Sequence, residues 1–313
     1  MPNLPKKILR ELGAVVSHRT WGTTTARYCY SIWLRHLLLA RKRGMPVPMA
    51  VAEFGPGDSL GIGLAALLTG AEKYYAFDIA EYSLQKRNLR ILDELVELFE
   101  RREDIVEEKD FERASVLLDL RRFPRDVLSD EHMSQCLRKE RIEAIRGALI
   151  NLNRKMGEAI EISYCSRWNE RGAVKENTVD MVYSQAVMEH VDDLRSAYGT
   201  MRRLLKKGGF MSHQIDFKCH GTSLKWNGHW KHNDAAWKMI RFLQRTLIPV
   251  RLINREPYST HKKLIEEAGF TIVCDIPIRD TSGAGRGELA DRFKDLGGED
   301  LSTSGAFIQA VKR

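Results

Sequence analysis

From residue 49 onward the chain alternates short apolar runs with helix-periodic stretches. The runs MAVAEF (49–54), KYYAFDI (73–79), AIEISYC (159–165), TVDMVYS (178–184), GGFMSHQIDF (208–217), GFTIVCDIPI (269–278) and SGAFIQAVK (304–312) read as seven strands. LGIGLAALLTGA after the first run, residues 190–206 and residues 258–268 read as helices between them. Near-continuous apolar strands alternating with helices belong to parallel sheets covered on both faces. The expected fold class is therefore α/β, a Rossmann-like seven-stranded, mostly parallel sheet with helices on both faces.

Two segments fall outside this alternation. Between the second and third strands lie about seventy residues, 84–157, where a dozen would complete a parallel crossover. Their charge-rich, helix-periodic sequence predicts a helical insertion that covers the sheet or caps a cleft. Ahead of the first strand, residues 26–43 (ARYCYSIWLRHLLLARKR) place Tyr30, Trp33, Leu34, Leu37 and Leu38 on one helical face. The chain thus divides into an N-terminal helical arm, 1–48, and an α/β domain, 49–313, containing the insertion.

Charge sharpens that division. Residues 1–50 hold nine Lys/Arg and one acid, Glu11, which accounts for the whole net charge of +8, while the remainder carries 41 of each sign. The basicity belongs to the arm. Such a helix packs its apolar stripe on the neighbouring domain, or docks on an anionic membrane surface or acidic partner. The neutral body argues against a nucleic-acid partner, leaving an RNA-directed activity as the alternative that uses the arm's cations. No run of eighteen apolar residues occurs, the first ten residues lack a secretory pattern, and the five cysteines are scattered without a CxxC. A cytoplasmic protein with no cysteine-based metal site is expected.

The densest chemical signal is Glu53-Phe54-Gly55-Pro56-Gly57-Asp58-Ser59-Leu60-Gly61, where the first strand gives way to a helix. Glycines there let the backbone turn tightly and approach a nucleotide-type ligand. A dinucleotide fingerprint requires Gly at its sixth position, which is Leu60 here. Glu53, two residues before the first Gly, would repel a pyrophosphate and attract a sulfonium or ammonium group, as in S-adenosylmethionine. Asp78 at the end of the second strand is placed to accept hydrogen bonds from ribose hydroxyls.

VAEFGPGDSLGIG, Asp78 after KYYAF, TVDMVYSQAVMEHV and LLKKGGFMSHQIDF together resemble the successive motifs of class I S-adenosylmethionine-dependent methyltransferases, over about residues 49–217. The resemblance implies that Glu53, Gly55 and Gly57 contact the methionine part and that Asp78 holds the ribose. It also implies that Ser166 to Trp168 flank the adenine and that Ser184, Gln185 and Ala186 close the pocket. SRWNERGAV lacks the acid usual in the adenine loop. Some related quinone-ring O-methyltransferases hold a divalent ion with Glu-x-x-Glu-His; here the first Glu is Ala186, so Glu189 and His190 are read as capping or packing residues and no metal is expected.

On the acceptor side, His213-Gln214-Ile215-Asp216-Phe217-Lys218-Cys219-His220 and KWNGHWKHNDAAW are rich in His, Asn and Trp. Methyl transfer to oxygen benefits from a base, and His213 oriented by Asp216 is the first candidate, with His220, His232 and His261 as alternatives. The stretch also resembles a bacterial subgroup associated with polysaccharide biosynthesis, which implies a small or glycan-like hydroxylated acceptor. Trp226, Trp230 and Trp237 supply ring faces for it, or are simply core. A non-catalytic binding module on the same fold is the remaining alternative.

Overall fold

The computed structural model describes residues 23–78, 85–105, 121–153, 160–165, 174–219, 223–247 and 253–313. Seven strands, β1 (Ala50–Phe54), β2 (Lys73–Phe77), β3 (Glu161–Cys165), β4 (Val179–Gln185), β5 (Leu205–Asp216), β6 (Phe270–Arg279) and β7 (Thr303–Lys312), form one sheet in the order β3-β2-β1-β4-β5-β7-β6. Every pairing is parallel except those of β7, which runs antiparallel to both neighbours. Each strand lies on one of the seven apolar runs, and the fold is the expected Rossmann-like one.

Two helical layers bury the sheet. On one face Val51, Tyr74, Met181, Tyr183, Phe210 and Phe307 pack against α1 (Ala26–Lys42), α2 (Gly61–Leu68) and α3 (Gln85–Glu100). On the other, Ala52, Val182, Met211, Ile215 and Ile308 pack against α6 (Leu194–Leu204) and α8 (Tyr258–Glu267). The alternation follows from the two-residue side-chain period of a strand. The insertion supplies α3, α4 (Asp130–Cys136) and α5 (Lys139–Ile150), whose Leu95, Met133 and Ile145 join the first layer; residues 106–120 of it lie outside the described residues.

The N-terminal helix departs from the picture of a docking arm. Every residue of α1 from Cys29 to Ala40 is buried, Arg35 included. Trp33 Nε1 donates to Thr69 Oγ1 at 2.7 Å, His36 Nδ1 lies 2.7 Å from Ser212 Oγ, and Gln309 Nε2 donates to the His36 carbonyl at 3.1 Å. The apolar stripe is committed to the core, so this helix has none to offer a membrane. Arg41 and Lys42 remain exposed in the last turn, where cations suit the helix dipole. Lys6, Lys7, Arg10 and Arg19 lie outside the described residues.

One helix differs at both ends from its expected span, and one helix is additional. The helix expected from 190 begins at Leu194, because Asp193 accepts from the Ser196 N–H at 2.9 Å and caps it. It stops at Leu204 rather than 206, since Leu205 already pairs with Val179 before a bulge at which Gly208 takes φ +76°. An additional helix, α7 (Asp234–Leu247), occupies an amphipathic stretch whose start stands out for its His, Asn and Trp content rather than for its helical period. Among the described residues no helix is long and apolar enough to cross a membrane.

Candidate functional site

The strand order reverses between β1 and β4, and in open α/β sheets the ligand crevice lies outside the carboxyl ends of the strands at such a point. The residues at this edge are therefore the ones to weigh.

After β1 the backbone enters the left-handed region twice, at Gly55 (φ +70°) and Gly57 (φ +71°). Both turns call for glycine. After β4, Ala186 takes φ +52°, a region costly for a residue with a β-carbon and found often at ligand sites. The two turns touch: an ideal Cβ at Gly55 would lie 2.6 Å from Val187 Cγ2. Gly55 N–H donates to the Phe77 carbonyl at 2.8 Å, and Asp78 N–H to the Cys165 carbonyl at 3.0 Å, which fixes both turns to the sheet.

Glu53 sits on the α1/α2 face and is 1% exposed. Its Oε2 accepts from Tyr74 Oη at 2.5 Å and from Tyr183 Oη at 3.1 Å. Burial raises its carboxyl to about 7, the two tyrosines oppose that rise, and Asp78 adds to it. The expectation is of a contact with a cationic group; in the structure the carboxyl is held by two protein donors, the hydroxyls of Tyr74 and Tyr183. Asp78 is half-buried at the tip of β2. At the start of α2, Asp58 N–H is taken by Thr23 Oγ1 (2.9 Å) and Leu60 N–H by Asn88 Oδ1 (3.0 Å). Those donors are satisfied within the protein and offer no phosphate site.

The candidate base does not form as expected. His213 and Asp216 lie three residues apart on β5 and so point to opposite faces of the sheet. His213 is fully buried against α6, with Nδ1 2.8 Å from Ser184 Oγ and its ring 6.1 Å from that of Tyr198. Burial lowers its imidazole to about 3, with His36 and His261 acting in the same direction. Asp216, at the crevice edge, accepts from the Lys218 N–H at 2.9 Å. Ser184 is occupied by His213 rather than facing a pocket, whereas Gln185 reaches the edge and donates to Gln214 Oε1 at 3.0 Å. His261 is also buried, bonded through Nδ1 to Tyr198 Oη at 2.8 Å, and is lowered to about 3. His220, Ser166 and Trp168 lie outside the described residues. Trp226, Trp230 and Trp237 are all core residues.

One group at the edge went unweighted by sequence reasoning except as a cap. Glu189, in the short 3-10 turn Met188–His190 that follows β4, is 1% exposed, and among the described residues neither carboxyl oxygen has a hydrogen-bond partner of good geometry. Its carboxyl is raised well above the carboxylate range by burial first and by Asp216 second, against which the backbone N–H groups of Glu189 and Asp216 work only weakly. No sequence pattern marks this, because the orphaned state is created by the turn and by what packs on it. Among the described residues there is no cluster of three or more His, Cys, Asp or Glu fit to hold a metal.

Residues 146–212, from within α5 to β5, match the family described as a methyltransferase domain. The match begins beyond the glycine loop. Among solved structures the chain is similar to an S-adenosylmethionine-dependent methyltransferase from Mesorhizobium loti (13% identity, 88% of this chain and 96% of that one, TM-score 0.42). It is also similar to a phosphoethanolamine N-methyltransferase from Haemonchus contortus (14%, 90% and 52%, TM-score 0.43) and to the [4+2]-cyclase SpnF (10%, 89% and 79%, TM-score 0.42). Likeness at this level bears on neither substrate nor mechanism. No curated protein matches the sequence. Fold and domain match define a methyltransferase enzyme whose cofactor is S-adenosylmethionine.

Proposed function

We propose that the protein methylates a hydroxyl group of a small acceptor with S-adenosylmethionine bound at the β1/β4 crevice, inside a reducing cytoplasmic compartment where its five free thiols persist. The observation that carries this reading is the pair of left-handed glycines, Gly55 and Gly57, between an acid beneath the loop, Glu53, and a half-buried acid at the tip of the neighbouring strand, Asp78. When bound, the cofactor supplies an electrophilic methyl group on a positively charged sulfur. Gly55 and Gly57 give it room, Asp78 holds the ribose, and the carboxyl of Glu53 favours the positive charge. Acidic walls suit a cationic ligand and oppose a phosphate-rich one, which disfavours the RNA alternative.

The glycan-like version of the acceptor has less support than the hydroxyl itself. Its ring platform was to be Trp226, Trp230 and Trp237, and all three are buried in the core. Calorimetric titration with S-adenosylmethionine and S-adenosylhomocysteine tests the reading. Micromolar binding of both, weakened at least tenfold in Asp78→Ala, is expected. A folded protein that binds neither would leave the fold as a non-catalytic module.

A further inference from the structure

Glu189 stands at the carboxyl ends of β4 and β5, beside the cofactor crevice, with both oxygens buried and, among the described residues, without a hydrogen-bond partner of good geometry. Native proteins rarely leave such a group without a donor, and the exceptions concentrate where a ligand or a reaction completes the set. Among the described residues, no Lys or Arg is paired with it. Asp216 approaches from β5, and Tyr198 from α6 is close enough to feel its charge. Tyr198 gives its hydroxyl contact to His261 of α8, and His213 on β5 gives Nδ1 to Ser184. The strap at 253–257 is hydrogen-bonded to the turn through Asn254: its N–H donates to the Glu189 carbonyl at 2.6 Å, and its Nδ2 to the Met188 and Val191 carbonyls at 2.9 and 2.8 Å.

We infer that Glu189 is the proton acceptor of the methyl transfer: it gives up its proton when the positively charged cofactor enters the crevice and takes one from the acceptor's hydroxyl as the methyl group moves. This rests on the reading under Proposed function. The balance is complete without a further reactant. An oxygen–carbon bond forms, the carbon–sulfur bond breaks with its electron pair left on sulfur, and the hydroxyl proton passes to the Glu189 carboxylate. One positive and one negative charge disappear together, so a water-poor crevice favours the step. The raised proton affinity of the buried carboxyl is what a base of this kind needs near neutral pH.

The test compares a charged and an uncharged ligand, S-adenosylmethionine and S-adenosylhomocysteine. The sulfonium charge also lowers the α-amino pKa of free S-adenosylmethionine, so the slope that belongs to Glu189 is the part of the parent's pH dependence that Glu189→Gln, titrated with the same two ligands, loses. Calorimetry from about pH 6 to about pH 9 should show the ratio of their affinities shifting toward S-adenosylmethionine as pH rises, by up to about tenfold per pH unit where Glu189 titrates. Glu189→Gln, an uncharged mimic of the protonated form, should bind S-adenosylhomocysteine as the parent does while losing most of the pH dependence. Glu53→Gln, the control for the other raised carboxyl, should keep most of it. An unchanged slope in Glu189→Gln overturns the inference and leaves the cofactor assignment standing. A folded parent that binds neither ligand removes both.

Discussion

Val187 stands so close to Gly55 that a β-carbon on the glycine would lie 2.6 Å from Val187 Cγ2 and 2.8 Å from Cγ1. The loops after β1 and β4 therefore close on each other only because one residue has no side chain. Gly55→Ala meets two penalties, the left-handed φ of +70° and the overlap with Val187. Urea unfolding should show a loss of about 2 to 4 kcal/mol, with binding of S-adenosylhomocysteine reduced more than tenfold. Adding Val187→Ala should restore about 1 kcal/mol or more, because only the overlap is relieved. Strict additivity of the two changes would show that the loops do not press on each other.

Glu53 makes stability depend on pH in a defined direction. Its carboxyl is raised to about 7 in the folded protein against 4.5 ordinarily, so the folded state holds a proton that the unfolded state has released. The contribution is full below about pH 4.5 and is lost as pH rises through about 7, a change of about 3 kcal/mol. Glu53→Gln should be at least as stable as the parent at pH 8 and should lose this slope. It should also bind S-adenosylmethionine more weakly, because the field that favours positive charge is gone. A variant that is less stable at pH 8 would mean that Glu53 is held ionised by Tyr74 and Tyr183.

Three buried imidazoles work the other way. His36, His213 and His261 are each lowered to about 3 by burial, which Gln185 opposes at His36 and the other two histidines reinforce at His213. A lowered histidine supports the fold above about pH 6.5 and loses that support as pH falls toward 3, because the unfolded chain takes up protons that the folded chain cannot. At pH 5 each should contribute a loss of about 2 kcal/mol. The histidines outnumber Glu53, so denaturation midpoints should fall steeply between pH 6.5 and 5. His261→Gln should flatten that fall by about one proton. If it does not, His261 is reached by solvent.

What could be read from the sequence was whatever repeats along the strand or helix period. The seven strands, α1 and α8 follow apolar periodicity, and the Gly55 and Gly57 turns follow from the chemistry of glycine. Registration between distant strands was not legible. Nothing local pairs Tyr183 with Glu53 from 130 residues away, although the two are register partners on β1 and β4. His213 looked like a base because Asp216 follows it closely. Only the pleat of β5 separates their faces and turns the histidine toward Ser184. A buried carboxyl with no well-formed hydrogen bond among the described residues, as at Glu189, arises only from packing in three dimensions.

The strap bonded through Asn254 to the backbone of that turn is held at its next residue. Arg255, with φ +70°, lays its guanidinium 4.9 Å over the Trp237 ring and 5.1 Å over that of Phe293. It donates to the His232 carbonyl at 2.7 Å and to Asp234 Oδ1 at 2.6 Å. A lysine has neither the planar face nor the fork to do both. Arg255→Lys should cost about 2 kcal/mol, and Asn254→Ala, which frees the Met188 and Val191 carbonyls, about 1 to 3 kcal/mol. Each change alone releases the strap, so the double variant should lose less than the two losses combined. Hydrogen exchange at the Asn254 amide, whose partner is the Glu189 carbonyl, reads the release directly and should quicken in both single variants. Unchanged protection of that amide in Arg255→Lys would show that the strap is held to the turn by the Asn254 contacts alone.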